Sequence, residues 1–180
     1  MDLNLLLQKI ADGEKFDYVF FWGHKSTPGK ITNSCFSQWY PATFSENGVE
    51  YNCTEQYMMA QKAILFKDDV TLKKIMSKTD PAEIKKLGRL VKNFDKKIWD
   101  ENCRKIVEQG NYLKFSQNEE LKKYLLATGN KILVEASPYD DIWGIKMRKE
   151  EPDAKNPLKW KGTNYLGFAL TNVREKIKNE

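Results

Sequence analysis

Two charged residues interrupt the apolar face of a helix that is predicted to begin just after Cys53. Helix signals start at Thr54, which we predict to be the N-cap, and continue to about Phe66. Glu55 and Lys62 fall on the apolar stripe, roughly 10 Å apart along the axis and too far apart for a direct ion pair. They are therefore able to bracket a ligand. Alternatively, Glu55 stabilises the helix N-terminus and Lys62 extends to water.

A second concentration of reactive and aromatic groups lies in segment 135–144, where a predicted strand passes into a long loop. Tyr139, Asp140 and Trp143 stand close together there, and loops at strand ends often carry functional sites. The alternative is a turn organised by the Asp140 side chain, with the two aromatic rings covering the core.

Two positions in the helical middle of the chain carry groups that suit a nucleotide-like ligand. Trp99 lies on a long predicted helix, where its indole either packs in the core or stacks on a nucleobase. Arg89 follows a glycine and either holds a phosphate in a bidentate contact or remains a surface charge.

A turn near the N-terminus offers donors to an anion. Gly23 and His24 open segment 23–30, whose backbone and side-chain N–H groups suit a negative ligand. This segment resembles a Walker A loop, but five residues instead of four separate its glycines, and Ile31 replaces the required Ser or Thr. The sequence therefore argues against a P-loop NTPase.

Composition limits the classes of protein to which these residues can belong. The chain has 180 residues, of which 41% are hydrophobic and 12% aromatic, enough to form the core of one ordinary domain. Its apolar runs are too short to span a membrane, and its start lacks signal-peptide features, so we predict a cytoplasmic protein that does not enter membranes. The net charge of +5 suits phosphate-bearing ligands, although mixed surface charge is common.

The residues available for metal chemistry are few. One histidine and three widely spaced cysteines cannot assemble a four-ligand zinc site or a multi-histidine site. We therefore predict neither a metal nor another cofactor. The odd number of cysteines agrees with a reducing compartment.

The pattern of apolar positions, caps and turns predicts an α+β protein that is mainly α-helical, with a few short strands. Segments 18–22 and 132–135 are predicted to be buried strands, and 35–44 and 49–51 extended pieces joined by a turn at 46–48. Segment 137–157 is a long irregular loop. The predicted helices are 2–11, 54–66, 69–76, one opening at Asp80 and Pro81, a long one from about 94 to 115, 118–126 and 163–177.

Several segments, taken together and in this order, resemble the NADAR domain family, also described as YbiA-like. The resemblance runs from about residue 18 to 178 and implies a single domain over residues 1–180. The segments are Phe36-Ser-Gln-Trp39-Tyr40-Pro41, Thr54-Glu55-Gln56-Tyr57 to Ala60-Gln-Lys62, Leu87-Gly88-Arg89, Lys114-Phe115-Ser-Gln, Leu126-Ala-Thr-Gly129, Glu135-Ala-Ser-Pro-Tyr-Asp140 with Trp143-Gly144, and Asn164-Tyr-Leu166-Gly167 before Val173-Arg174.

Two departures from the family pattern bear on chemistry. The family often has Glu-His where this chain has Glu55-Gln56, so a histidine base beside Glu55 is impossible here. The last loop is rich in Lys and Glu, whereas that of many relatives is rich in Gly.

The resemblance implies an N-glycosidase, a hydrolase that cleaves the C1–N bond between a ribose-type sugar and a nitrogen base. One implied substrate is ADP-ribosylated guanine in DNA, RNA or nucleotides, so that hydrolysis reverses the modification. The alternatives are a phosphorylated intermediate of riboflavin synthesis, or a non-catalytic module that binds ADP-ribose or NAD.

The implied chemistry gives each candidate residue a role. Glu55 stabilises positive charge on the sugar or activates the nucleophile, Lys62 is an amine nucleophile that forms a Schiff base, and Asp140 handles a sugar hydroxyl or protons. Arg89 takes the phosphates. The remaining substrate-binding candidates are Trp99, Trp143, Tyr139, His24, Gly23 and Trp39.

Overall fold

A computed structural model describes residues 1–25 and 28–180 and divides them into two units. Residues 1–37 and 120–180 form the first, here called the terminal unit, and residues 38–119 form the second, the central unit. Ser26 and Thr27, in the Walker-like segment, lie outside the described residues. Helices dominate both units, which confirms the predicted fold class.

The helices in chain order are α1 (Leu3–Ala11), α2 (Thr54–Leu65), α3 (Asp69–Met76), α4 (Pro81–Gly88), α5 (Lys96–Gln117), α6 (Glu119–Leu126) and α7 (Tyr165–Lys178). The strands are β1 (Tyr18–Phe21), β2 (Phe44–Glu46), β3 (Val49–Tyr51) and β4 (Ile132–Glu135). Short 3₁₀ turns occupy Asn33–Phe36, Pro152–Lys155 and Pro157–Lys159.

The terminal unit is built on a two-stranded parallel sheet of β1 and β4, with Tyr18 opposite Ile132. α7 packs against β4. Asn164, in a left-handed conformation before α7, holds that helix to the strand: its Oδ1 accepts from the Glu135 amide at 2.9 Å, and its Nδ2 donates to the Leu133 carbonyl at 3.0 Å. One apolar cluster, centred on Leu6, Ile132 and Phe168, fills this unit.

The central unit is built around α2, which packs against α3, α4 and α5. Most of α2 is buried, including the polar residues of its first turn. α4 approaches closely because it ends in Gly88, where an added Cβ would meet the Met59 side chain at 1.9 Å. β2 and β3 form an antiparallel hairpin whose turn, Asn47-Gly48, has positive φ at both residues, as a tight two-residue turn requires.

The predicted helices are confirmed, with ends that shift by a few residues. Asp80 is the N-cap of α4 with Pro81 at its first position, as predicted. Thr54 is not the N-cap of α2: it is the first helical residue, and Cys53 occupies the cap position.

Two predicted extended segments need correction. Segment 35–44 was expected to be extended, but Cys35 lies in a 3₁₀ turn that Thr32 caps through its side chain. Only Phe44 at its end belongs to a strand. Segment 18–22 ends as a strand at Phe21, and Trp22 is 52% exposed because it follows the last paired residue. Its residues before Phe21 are half-buried where a buried strand was expected.

Within the described parts of the chain, no helix combines the length and the apolar character needed to cross a membrane.

We expect Gly167→Ala to destabilise the protein. An added Cβ at position 167 would lie 2.1 Å from the Leu133 carbonyl oxygen, so α7 would have to move away from β4. Overpacking of this kind costs about 1–3 kcal/mol, whereas alanine in an open helix position is normally favoured over glycine. Urea denaturation measures the difference, with the exposed Lys178→Ala as the control on the same helix. Equal stability of Gly167→Ala and wild type would contradict this packing.

A second prediction concerns Asp68, which joins the start of α3 to the segment after α4. Its carboxylate accepts from the Lys92 amide at 2.8 Å and the Thr71 amide at 3.0 Å. These bonds, that from Lys92 first, lower the pKa of Asp68 to about 2. A lowered pKa means that the stabilisation is complete above the unfolded pKa of about 3.9 and is lost as the pH falls toward 2.

Asp68→Asn should therefore be less stable than wild type at neutral pH, because an amide cannot accept both bonds. The gap should shrink as the pH falls from about 4 toward 2. Urea midpoints across that range measure it, with the exposed neighbour Asp69→Asn as the control. A gap that does not change with pH would refute the assignment.

Candidate active site

Glu55 lies in the first turn of α2, where its side chain is buried. The residue is 5% exposed, and its amide donates to the Gln38 carbonyl at 2.9 Å. The same carbonyl accepts from the Thr54 hydroxyl at 3.1 Å. The Gln38 backbone thus fixes the start of α2, and the positive end of the helix favours the Glu55 carboxylate.

A fully buried lysine shares the surroundings of Glu55. Lys114, on α5, is 0% exposed, and its Nζ lies 5.4 Å from the centre of the Tyr40 ring. The charges of Glu55 and Lys114 both affect the pKa of the Cys53 thiol. Its pKa is raised mainly by burial, and the negative charge of Glu55 raises it further while the positive charge of Lys114 lowers it. Glu55 and Lys114 are therefore both close enough to the start of α2 to act on this buried thiol.

Asn111 completes this group from one turn earlier on α5. It is 0% exposed, and its Nδ2 donates to the Gln38 side-chain Oε1 at 2.9 Å and to the Val107 carbonyl at 2.9 Å. Gln38 thus connects the two helices, since its backbone holds α2 and its side chain holds α5. We call Gln38, Glu55, Asn111 and Lys114 the polar cluster.

Lys62 lies near the other end of α2 and is half-buried. Its Nζ donates to the Gly88 carbonyl at 2.8 Å and lies over two aromatic rings, 4.3 Å from the centre of Phe94 and 5.4 Å from that of Trp99. Burial lowers the pKa of Lys62. The structure therefore brings Lys62 and Trp99 together and holds the ammonium by cation–π contacts rather than leaving it in water. The catalytic role of Lys62 and the binding role of Trp99 stay predictions.

The remaining predicted residues of the central unit lie nearer the surface. Arg89 is exposed and ends α4, directly after the carbonyl to which Lys62 donates. Trp39 is half-buried, and the Lys85 Nζ lies 5.8 Å from the centre of its ring. Neither position decides whether the residue contacts a substrate, and both stay predictions.

Gln56, which stands where the family often has histidine, has a structural role. Its Oε1 accepts from the Asn52 amide at 2.9 Å, and its Nε2 donates to the carbonyls of Ile75 at 3.2 Å and Lys78 at 2.9 Å. The side chain therefore fastens the start of α2 to the end of α3. It supplies no general base beside Glu55, since an amide does not titrate.

In the terminal unit, Asp140 organises the loop that follows β4. Its Oδ1 accepts from the amides of Ile142 at 2.9 Å and Trp143 at 2.7 Å, which is the turn that the alternative reading of this segment described. Trp143 is half-buried, with its ring centre 6.2 Å from that of Tyr165. The predicted part of Asp140 in sugar or proton handling stays a prediction.

Tyr139 does not cover the core, because it is 77% exposed and contacts Trp22, with ring centres 6.1 Å apart. Gly23 has a φ of +82°, which suits the turn predicted there, and both Gly23 and His24 are exposed. Binding of an anion by this turn stays a prediction.

Sequence reasoning missed the α5 half of the polar cluster. Val107, Asn111 and Lys114 follow one another at intervals of four and three residues, so they share the buried face of α5. The signal is the one that identified Glu55 and Lys62, namely polar residues on an apolar helix face. The same pattern is present in α5.

Comparison of the sequence with known proteins indicates the enzyme class. The chain is 48% identical over 164 residues to an N-glycosidase of Acanthamoeba polyphaga mimivirus, covering 88% of this chain and 95% of the relative. It is 31% identical to an N-glycosidase of Nostoc punctiforme, covering 81% and 86%. It is also 34% identical to Protein irg-1 of Caenorhabditis elegans, covering 79% and 74%. The two N-glycosidases among these relatives confirm the predicted enzyme class.

A solved structure has the same fold. The NMR structure of the Escherichia coli protein YbiA matches with a TM-score of 0.72 and 25% identity, over 92% of this chain and 88% of that one. The family model described as NADAR domain matches residues 20–178, which include residues of both units. The chain therefore belongs to the NADAR domain family.

Proposed function

We propose that this N-glycosidase hydrolyses the ribosyl C1–N bond of ADP-ribosylated guanine, in nucleic acid or in nucleotides, and so reverses the modification. The observation that carries the proposal is the burial of the Glu55 carboxylate at the start of α2, beside a second buried charge. Burial of ionisable groups in a core carries a large desolvation free energy, and such groups are concentrated at functional sites.

The carboxylate suits the bond to be broken. As C1–N cleaves, its electron pair leaves with the base and positive charge develops on C1 and the ring oxygen of the sugar. A carboxylate that is 5% exposed stabilises this charge more strongly than one in water, because its surroundings have a low dielectric constant.

Lys62 supplies an amine for covalent catalysis. Burial lowers its pKa, so a larger share of Lys62 is neutral near pH 7 than of an exposed lysine. The neutral nitrogen forms a bond to C1 as the C1–N bond breaks, the electron pair of that bond leaves with the base, and the base takes up the proton that the attached amine loses. Opening of the sugar ring then gives an imine, which water hydrolyses to release the sugar and restore the amine.

Side chains around Lys62 suit the rest of an ADP-ribosylated guanine. The indole of Trp99 is within 5.4 Å of the ammonium and offers a ring for base stacking, which is worth about 1–3 kcal/mol. Arg89 is exposed directly after Gly88, whose carbonyl binds Lys62, and a guanidinium has the donors to bind a phosphate. The net charge of +5 favours a nucleic acid that carries the modification.

The test is to incubate the protein separately with an oligonucleotide that carries ADP-ribosylated guanine and with the phosphorylated riboflavin intermediate. Mass spectrometry identifies the released products. We expect the first substrate to be restored to unmodified guanine with release of ADP-ribose. Turnover of the second substrate alone would replace this proposal with the riboflavin assignment, and tight binding of ADP-ribose without turnover of either would favour a non-catalytic module.

We expect Glu55→Gln to lower kcat by about 100-fold or more, because the amide carries no charge to stabilise the transition state. The matched control is Glu50→Gln, at an exposed position on β3. Circular dichroism checks that both variants fold. A Glu55→Gln enzyme with wild-type kcat would remove Glu55 from the mechanism.

Lys62→Ala should abolish trapping of a covalent adduct by borohydride, because only an imine is reducible. The matched control is Lys73→Ala, an exposed lysine on α3 that should be trapped as wild type is. Intact-mass measurement detects the adduct on the folded protein. An adduct that persists in Lys62→Ala would assign the nucleophile to another amine, and hydrolysis without any adduct in wild type would indicate direct attack by water.

A further inference from the structure

A cavity of about 370 Å³ lies in the terminal unit, at the amino ends of β1 and β4. It is lined by Phe16, Asp17, Tyr18, Lys131 and Lys155. Both lysines and Asp17 are exposed, so the cavity is open to solvent. Its volume is at the lower end of the range for sites that bind small molecules. The candidate residues of this unit, such as Gly23 and Asp140, follow the carboxyl ends of the same strands, and none of them lines the cavity.

Backbone hydrogen bonds fix the two chain segments at the strand starts. The Asp17 carbonyl accepts from the Ile132 amide at 2.9 Å, which joins the start of β1 to the start of β4. The Lys131 carbonyl accepts from Nη1 of the buried Arg174 at 2.6 Å. The backbone that carries Asp17 and Lys131 is therefore held by the sheet and by α7.

Trp160 connects Tyr18 to the 3₁₀ turn that ends at Lys155. The Trp160 indole N–H donates to the Ala154 carbonyl at 2.8 Å, and its ring centre lies 6.1 Å from that of Tyr18. Lys155 follows Ala154 directly in the chain. The third segment of the lining is therefore also attached to the sheet, so the cavity is formed by the fold itself.

Lys131 and Lys155 bring positive charge to this cavity. Within residues 1–25 and 28–180, neither ammonium forms an ion pair. Asp153, two residues before Lys155 in the same turn, pairs instead with Lys159 at 3.1 Å. Two ammonium groups and the one carboxylate of Asp17 leave the lining positive, which favours an anionic ligand.

The chemistry of the lining groups limits the ligand further. Lysine ammonium groups bind phosphate as point charges. Phe16 and Tyr18 are half-buried and offer ring surface to a flat group. The Asp17 carboxylate accepts from N–H or O–H donors, which sugar hydroxyls supply. A nucleotide has a phosphate, a flat base and sugar hydroxyls, whereas inorganic phosphate or an apolar molecule has at most one of these features.

We propose that this cavity binds a 5′-nucleotide, with its phosphate at Lys131 and Lys155 and its base against Phe16 and Tyr18. The nucleotide is either free or part of a single strand of nucleic acid, since both present the same groups. This site is independent of the hydrolase function proposed above, because none of its residues takes part in that mechanism.

Isothermal titration calorimetry of wild type with AMP, adenosine and ribose 5-phosphate tests the ligand chemistry. We expect AMP to bind about 10-fold or more tightly than either of the others, because adenosine lacks the phosphate and ribose 5-phosphate lacks the base. Equal affinity for AMP and ribose 5-phosphate would overturn the inference, as would the absence of AMP binding.

The double variant Lys131→Ala/Lys155→Ala tests the location. It should bind AMP about 10-fold or more weakly than wild type and bind adenosine as wild type does. The matched control is Lys123→Ala/Lys178→Ala, which removes the same charge from exposed positions of the same unit and should keep wild-type affinity for AMP. Unchanged AMP affinity in the first double variant, or an equal loss in both, would overturn the inference. Circular dichroism checks that both fold.

A short oligodeoxyadenylate distinguishes the two sources of the nucleotide. If Lys131→Ala/Lys155→Ala loses affinity for the oligonucleotide and for AMP, the site binds a strand of nucleic acid. If it loses affinity for AMP alone, the site binds a free nucleotide. The same double variant should hydrolyse ADP-ribosylated guanine with wild-type kcat. Failure of wild type to hydrolyse that substrate would refute the proposed function and leave this inference to the binding data.

Discussion

The central unit depends on one carbonyl group, that of Gln38. It accepts from the Glu55 amide and the Thr54 hydroxyl, and so satisfies donors at the start of α2 that have no partner within the helix. The Gln38 side chain meanwhile accepts from Asn111 on α5. A single residue therefore connects the first turn of α2, which carries Glu55, to α5. The two bonds to the Gln38 carbonyl hold the first turn of α2, which carries the charge of Glu55, in its buried position.

Because most of α2 is buried, its polar residues lie in surroundings of low dielectric constant. A helix that packs against three others excludes water from most of its surface, so a charge on it interacts strongly with its neighbours. Glu55 and Lys114 illustrate the consequence through Cys53, whose thiol responds to both. The same surroundings penalise an uncompensated charge, which explains why the acidic residue and the basic residue occur together.

The sequence predicted those features that depend on local pattern. Helix periodicity and the Asp80-Pro81 start signal located most helices, and polar residues on the apolar stripe of α2 identified Glu55 and Lys62. Pairings between distant segments were not predictable in this way. Nothing near Asn111 in the chain indicates that it bonds Gln38, 73 residues away, because that contact exists only once α2 and α5 have packed.

Errors in the prediction have the same physical origin. Cys35 was expected in an extended segment, but the Thr32 side chain caps a short 3₁₀ turn there, and such local side-chain bonds compete with strand formation. The structural role of Gln56 likewise has no local signal in the sequence. Its three hydrogen bonds join α2 to segments up to 22 residues away, so the residue is explained by tertiary structure rather than by catalysis.

Lys62 on α2 and Lys114 on α5 lie in different environments. Lys62 is half-buried, donates to one carbonyl and lies over two rings, and burial lowers its pKa. Lys114 is fully buried, and its charge and that of Glu55 act in opposite directions on the pKa of the Cys53 thiol. A nucleophilic amine must lose its proton before it attacks. Burial favours the neutral amine of Lys62, which supports its proposed role as the nucleophile.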